Sequence, residues 1–272
     1  MEATLGRYRI EVATEFGPRI TSLRRDDGPE MLARLGPEAV ITHEGGTYRF
    51  RGGHRLWAAP EVAAVTYASD DHECDVSETS DSIVVTAPPD TAGLVKEVSI
   101  SADAESLVVD HRLTGSGLRG AVAPWALTQL PLGGTAILPV IGDDTAPEAN
   151  RYLVLWPYTS VEDKRVTLCD DVVEIEATEG PPIKFASGPT PRRLGYFIDG
   201  LLFLKEIESA ENREVPDFGA VAQVYVGSGF CELESVGGLT DLSEGAAGTL
   251  RERWTVIDCG DLDAGVKLTV GT

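Results

Sequence analysis

Between positions 51 and 61 the chain reads Arg51-Gly-Gly-His54-Arg55-Leu-Trp57-Ala-Ala-Pro-Glu61. A forked cation, a titratable imidazole, a flat indole and a carboxylate sit close together, behind two glycines that permit a tight bend or a close backbone approach. This mix suits a neutral polyhydroxylated ligand such as a sugar. C–H faces stack on the aromatic ring, and hydroxyls bridge charged donors and acceptors. The spacing suits neither a nucleotide nor a haem nor zinc.

Other residues could add to such a site. Trp156-Pro157-Tyr158, with Asp163 and Arg165 following, makes a second polar and aromatic cluster. It reads either as a cleft rim, with rings stacked against sugar, or as a rigid turn packing an aromatic pair. Lys205 interrupts the apolar run Leu202-Phe203-Leu204. If it points inward it must find an anion, Glu234 or an acid group of a ligand; if outward it is solvated. His72 lies in the acidic stretch Ser69-Asp-Asp-His-Glu-Cys74, where nearby carboxylates would favour its charged form. Asp70-Asp71 and Asp143-Asp144 are acidic pairs of the kind that hold hard cations, but pairs are common in so acidic a chain, and no metal is expected.

The elements that must position these groups are strands. Apolar residues recur with a period near two over almost the whole chain, and long helical patterns are missing. Strands are expected at 7–14, 19–23, 82–86, 94–101, 106–114, 122–130, 135–140 and 152–155. More are expected at 172–177, 183–185, 196–198, 201–208, 220–226, 230–236 and 250–257. Short helical turns are expected at Pro29–Leu35 and around Thr159–Asp163. So many short strands cannot stay one flat sheet and should stack as a large sandwich. No linker, low-complexity stretch or fixed-period repeat divides residues 1–272, which points to one all-β domain.

Composition narrows the partners. With 44 acidic against 23 basic residues the formal charge is −21. Such a surface repels phosphate backbones and anionic lipid, so neither nucleic acid nor membrane is an expected partner. The 4 cysteines, at 74, 169, 231 and 259, fall at no metal-ligand spacing and read as reduced thiols in or near the core. The N-terminus carries no apolar targeting stretch, so a cytoplasmic location is expected.

Several segments together resemble the galactose mutarotase-like, or aldose 1-epimerase-like, family. They are Gly17-Pro-Arg-Ile-Thr-Ser-Leu23, Asp27-Gly-Pro-Glu-Met-Leu32, Val108-Val-Asp-His-Arg-Leu-Thr-Gly-Ser-Gly117, Phe230-Cys-Glu-Leu-Glu-Ser235, Leu242-Ser-Glu-Gly-Ala and Glu252-Arg-Trp254. Their order spans nearly the whole chain. Within the family the closer similarity is to a branch marked by Gly-Gly-His54-Arg55-Leu-Trp57, Ala123-Pro-Trp125-Ala-Leu-Thr128, Leu155-Trp156-Pro-Tyr158-Thr and a strand carrying Lys184.

The resemblance implies a β-supersandwich of large, mostly antiparallel sheets, with a sugar site in the concave face of one. It also implies interconversion of the anomers of a free aldose by proton transfer, with no organic cofactor. A base takes the anomeric hydroxyl proton and an acid protonates the ring oxygen. Glu234 matches the family's base, with Glu232 two residues away on the same strand face. Arg55 matches the family's hydroxyl-binding arginine, and Trp57 and Trp125 would wall the cleft. The family's acid histidine is replaced by Ala123. His54, beside Arg55, is the substitute acid by proximity, and His72 corresponds loosely to a second family histidine. The missing histidine leaves an alternative open: a non-catalytic sugar-binding or sugar-sensing module on the same fold.

Overall fold

The computed structural model describes residues 1–44, 46–115, 120–188, 192–208 and 213–271. Two large antiparallel sheets hold most of the chain. The first runs, in spatial order, Glu2–Leu5, Tyr8–Val12, Arg19–Arg25, His54–Ala59, Ala123–Leu130, Phe230–Val236, Ala222–Gly227, Ile183–Ser187 and Leu153–Leu155. The second runs Val166–Leu168, Val172–Glu176, Thr135–Pro139, Arg193–Ile198, Leu201–Glu208, Gly248–Asp258, Ser106–Gly115, Leu94–Asp103, Ser82–Thr86 and Asp75–Glu78. A separate hairpin, Val40–His43 with Gly46–Arg49, stands apart from both.

The sequence pattern explains the layering. Leu94–Asp103 alternates buried and half-buried positions, as a strand does when one face is packed and the other wetted. Leu94, Val98 and Ile100 of that strand join a core built with Leu56, Ala126, Leu233 and Val224 of the first sheet and Val109, Phe203 and Trp254 of the second. At the centre of the first sheet the alternation vanishes. Every residue of His54–Ala59, Ala123–Leu130 and Phe230–Val236 is buried. Their inner face meets the second sheet, so their outer face must be roofed as well, and the roof is what creates a site.

The all-β architecture of large antiparallel sheets matches the expectation from the sequence, and several strand bounds agree to the residue, among them Ser82–Thr86, Leu201–Glu208 and Phe230–Val236. Two expectations fail. Pro29–Leu35 and Thr159–Asp163 form no helix. A helix instead occupies Leu262–Val270, where Asp261 caps the Ala264 amide at 2.8 Å and Gly271 closes the end at φ 88°. Leu262, Val266 and Val270 cover Leu202 and Leu204 on the outer face of the second sheet. Ser116 and Gly117 of the resemblance lie outside the described residues. Of the cysteines, Cys231 is buried, Cys74 and Cys259 are half-buried, and Cys169 is exposed rather than in the core. No helix among the described residues is long and apolar enough to cross a membrane.

Candidate functional site

The site starts from the two glycines. Gly52 and Gly53 adopt φ of +84° and +73°, and a Cβ on them would lie 2.0 Å from the Ala33 carbonyl oxygen and 2.2 Å from that of Ile20. Only glycine fits, and the turn feeds directly into the strand His54–Ala59. Gly53→Ala is therefore expected to cost at least about 2 kcal/mol through left-handed strain and backbone collision. A urea midpoint equal to that of the unaltered protein would contradict this.

Successive residues of that strand then face opposite sides. Arg55 and Trp57 point outward, while His54 and Leu56 point into the sandwich. Pairing aligns the outward groups in rows: Trp57 opposite Trp125, Gln129 opposite Glu232, Glu232 opposite Tyr225, and Tyr225 opposite Lys184. Leu127 opposite Glu234 makes the adjoining row.

These rows floor a cavity of about 540 Å³. Trp57, Trp125, Lys184, Tyr225, Glu232 and Glu234 reach it from the sheet. Residues 38–41 and Phe50, flanking and including the small hairpin, close one side, and Tyr158 closes another. Trp57 and Trp125 meet edge to face at 5.5 Å. Tyr48 and Tyr67 pack on Trp57 at 5.3 and 5.1 Å. Tyr67 also donates a hydrogen bond to Glu61 at the rim.

Glu234 is 1% exposed, and its Oε2 accepts hydrogen bonds from the Lys184 Nζ and the Trp125 indole N–H, both at 2.7 Å. Lys184 stands over the Trp125 ring at 4.7 Å and the Trp156 ring at 4.4 Å. Burial raises the Glu234 carboxyl above its ordinary value; Lys184 opposes that rise and Glu232 adds to it. Glu232 accepts from Arg55 Nη2 at 2.8 Å. The phenol of Tyr225 is pushed up to about 12, by burial first and then by Glu232 and Glu234. That of Tyr158 is also raised, again chiefly by burial.

Several residues singled out in the sequence lie elsewhere. His54 is fully buried between the sheets, because it neighbours Arg55 on a strand and so takes the opposite face. Adjacency in sequence is what separates them. Lys205 does point inward, but it pairs with Glu252 at 2.9 Å rather than with Glu234. His72 sits half-buried in its loop and does not line the cavity. Asp70 and Asp71 are taken by arginines: Asp70 meets Arg19 at 2.6 Å, and Asp71 pairs with Arg51. Burial works against the Asp70 charge, yet Arg19 and Tyr48 bring its carboxyl below the ordinary range. Asp143 binds its own loop through Thr145. Trp156 stacks on Lys184 outside the cavity lining, while Tyr158 faces the cavity. Arg55 meets the cavity only through Glu232, since its guanidinium lies 1% exposed, 4.0 Å from the Trp57 ring.

Sequence reasoning passed over Tyr225, and it named Lys184 only as a mark of the branch, without a role in the site. The signal for Lys184 was there: in Ile183-Lys-Phe-Ala-Ser187 a lysine interrupts a strand that is otherwise apolar or small, and all of that strand is buried.

Behind the site, His54, His111 and Glu252 bring ligand-type atoms within 4.8 Å of one another. They are engaged with each other and with a cation. The two Nε2 atoms lie 2.7 Å apart, closer than the roughly 3.3 Å between two ligands on one tetrahedral ion, and Lys205 holds Glu252. The group fits a hydrogen-bonded chain better than a metal centre.

No protein-family model and no curated protein matches the chain. Solved structures do. A candidate aldose 1-epimerase from Escherichia coli K12 superposes with a TM-score of 0.56 at 13% identity, over 94% of this chain and 98% of its own. A galactose mutarotase-like protein from Lactobacillus casei gives 0.54 at 12% identity, over 94% and 99%. A candidate aldose 1-epimerase from Klebsiella pneumoniae gives 0.56 at 9%, over 97% and 79%. At such identities the likeness concerns the backbone, and it covers nearly the full length. With its two stacked antiparallel sheets, the chain has the all-β galactose mutarotase-like supersandwich fold.

Proposed function

We propose that this protein binds a free aldose or a related sugar in the cavity of the first sheet and interconverts its anomers by general acid–base catalysis. The observation that carries this reading is the convergence of Glu234 and Glu232 in one aromatic-walled cavity. Trp57, Trp125 and Tyr158 offer ring surface for the C–H faces of a pyranose. Glu232, held by Arg55, accepts a sugar hydroxyl. Glu234 takes the anomeric proton: it is buried, burial raises its carboxyl above the ordinary value, and one of its oxygens is not engaged by Lys184 or Trp125. The fold neighbours described as candidate aldose 1-epimerases and as a galactose mutarotase-like protein support the same reading. Residues 1–272 act here as one domain, with a small carbohydrate as partner.

The second reading, a sugar-binding module without catalysis, is favoured by the Lys184 ion pair that already neutralises Glu234 and by Ala123 at the position of the acid histidine. Polarimetry on freshly dissolved α-D-glucose and α-D-galactose separates the two. Optical rotation relaxing faster than in buffer, in proportion to protein concentration, supports the isomerase. A buffer-like rate with calorimetric sugar binding supports the module, and absence of both defeats the sugar reading.

A further inference from the structure

We propose that Lys184 is the proton donor to the ring oxygen, so that Lys184 and Glu234 work on the anomeric carbon as one bifunctional pair. The proposal rests on the isomerase reading above and supplies its missing acid. His54 cannot serve, being on the far face of its strand, and Ala123 has no proton to give.

The geometry favours the lysine. Its Nζ lies 2.7 Å from Glu234 Oε2, and Glu234 is the one carboxylate it pairs with among the described residues. The ring faces of Trp125 and Trp156, at 4.7 and 4.4 Å, hold the ammonium in place without taking its protons in strong hydrogen bonds. An ammonium has three donors, so one can turn to a ligand while another keeps Glu234. Burial makes two phenols lining the cavity poorer acids than usual: Tyr225 is pushed up to about 12 and Tyr158 also rises. Tyr67 is engaged with Glu61.

The anomeric hydroxyl oxygen and the ring oxygen share one carbon. A carboxylate and an ammonium already side by side therefore face the two atoms that must lose and gain a proton. In the forward step the anomeric O–H passes its proton to Glu234, and the electron pair forms the carbonyl. The bond from the anomeric carbon to the ring oxygen breaks, and the ring oxygen takes a proton from Lys184. The products are the open-chain aldehyde, a neutral carboxyl and a neutral amine. After rotation about the bond to the next carbon, the ring hydroxyl attacks the other carbonyl face. Its proton returns to Lys184 and that of Glu234 returns to the anomeric oxygen. No net charge is created in the cavity at any point. An ion pair becomes a neutral pair, which an aromatic-walled site accommodates at little cost.

Lys184→Arg and Lys184→Met test this, with mutarotation of α-D-glucose and α-D-galactose read by polarimetry and binding read by calorimetry. Arginine restores the ion pair with Glu234 but does not give up a proton at accessible pH. Both variants are expected to lose roughly 100-fold or more in rate while binding galactose about as well as the unaltered protein. A Lys184→Arg protein that keeps most of the rate overturns the proposal, because the lysine is then only a counter-ion. An unaltered protein at the buffer rate with both sugars overturns the isomerase reading itself, and the proposal with it. Unfolding midpoints of both variants show whether a lost rate is a lost fold; should methionine prevent folding, the arginine variant alone decides.

Discussion

Glu234→Gln is expected to remove catalysis of anomer exchange, with a rate loss of roughly 10²- to 10⁴-fold, the span general-base removal commands. Glutamine keeps the shape and can still meet the Trp125 N–H and the Lys184 ammonium through its carbonyl oxygen, but it cannot take a proton from a hydroxyl. Calorimetry should show sugar still bound, since the stacking walls and Glu232 are untouched. Retention of the full rate in this variant would assign the base elsewhere. The substitution also leaves Lys184 buried without its counter-ion, so a lower unfolding midpoint is expected alongside the rate loss.

Lys205→Met is expected to destabilise the fold by about 3–5 kcal/mol, the range for removing one partner of a buried ion pair. Its ammonium is fully buried, meets Glu252 at 2.9 Å, and donates to the Leu233 carbonyl at 3.0 Å and the Thr128 hydroxyl at 3.1 Å. Glu252 would be left as an isolated buried charge. The double variant Lys205→Met with Glu252→Gln should recover part of the loss, because no charge is then stranded. Single and double variants with equal urea midpoints would show that the two residues are uncoupled.

The same network makes the fold acid-sensitive. The Leu250 carbonyl can only accept, so the hydrogen bond at 3.0 Å places a proton on His111 Nδ1. His111 Nε2 then accepts from His54 Nε2–H at 2.7 Å, and His54 Nδ1 accepts from the Thr128 hydroxyl at 2.9 Å. With both imidazoles neutral the chain is complete, one proton filling the Nε2–Nε2 contact, and protonating His111 would force His54 to move its own proton to Nδ1. Burial holds both rings below the ordinary 6.5; for His54, His111 and Lys205 act in the same direction, while for His111 the Glu252 charge opposes. Below pH 6.5 the unfolded chain therefore binds more protons than the folded protein, and stability falls with pH. Two such groups give a slope of up to about 2.7 kcal/mol per pH unit. Glu234, raised in the fold, contributes the opposite sign and lessens it. Urea midpoints that do not fall between pH 7 and pH 5 would sink this account.

Much of the architecture was legible because strand periodicity is a local property. The alternation in Ser82–Thr86 and Leu94–Asp103 marks strands whatever they pair with. The strand His54–Ala59 was hidden because it is buried on both faces and begins at a two-glycine turn, so it shows no alternation and reads as a bend. The helix Leu262–Val270 is short, and its sequence declares no strong helical face before one knows that Leu202 and Leu204 need covering.

The sequence by itself determined the all-β class, the pairing of Glu232 with Glu234 on one face, and the aromatic character of the site, since these follow from residue type and a period of two. Only the tertiary structure decided which acid and which cation meet. Glu234 took Lys184 and Glu252 took Lys205 across separations of 50 and 47 positions, while His54, one bond from Arg55 in the chain, went to the other side of the sheet. Strand order and register set those partnerships, and a single chain carries no local signal for either.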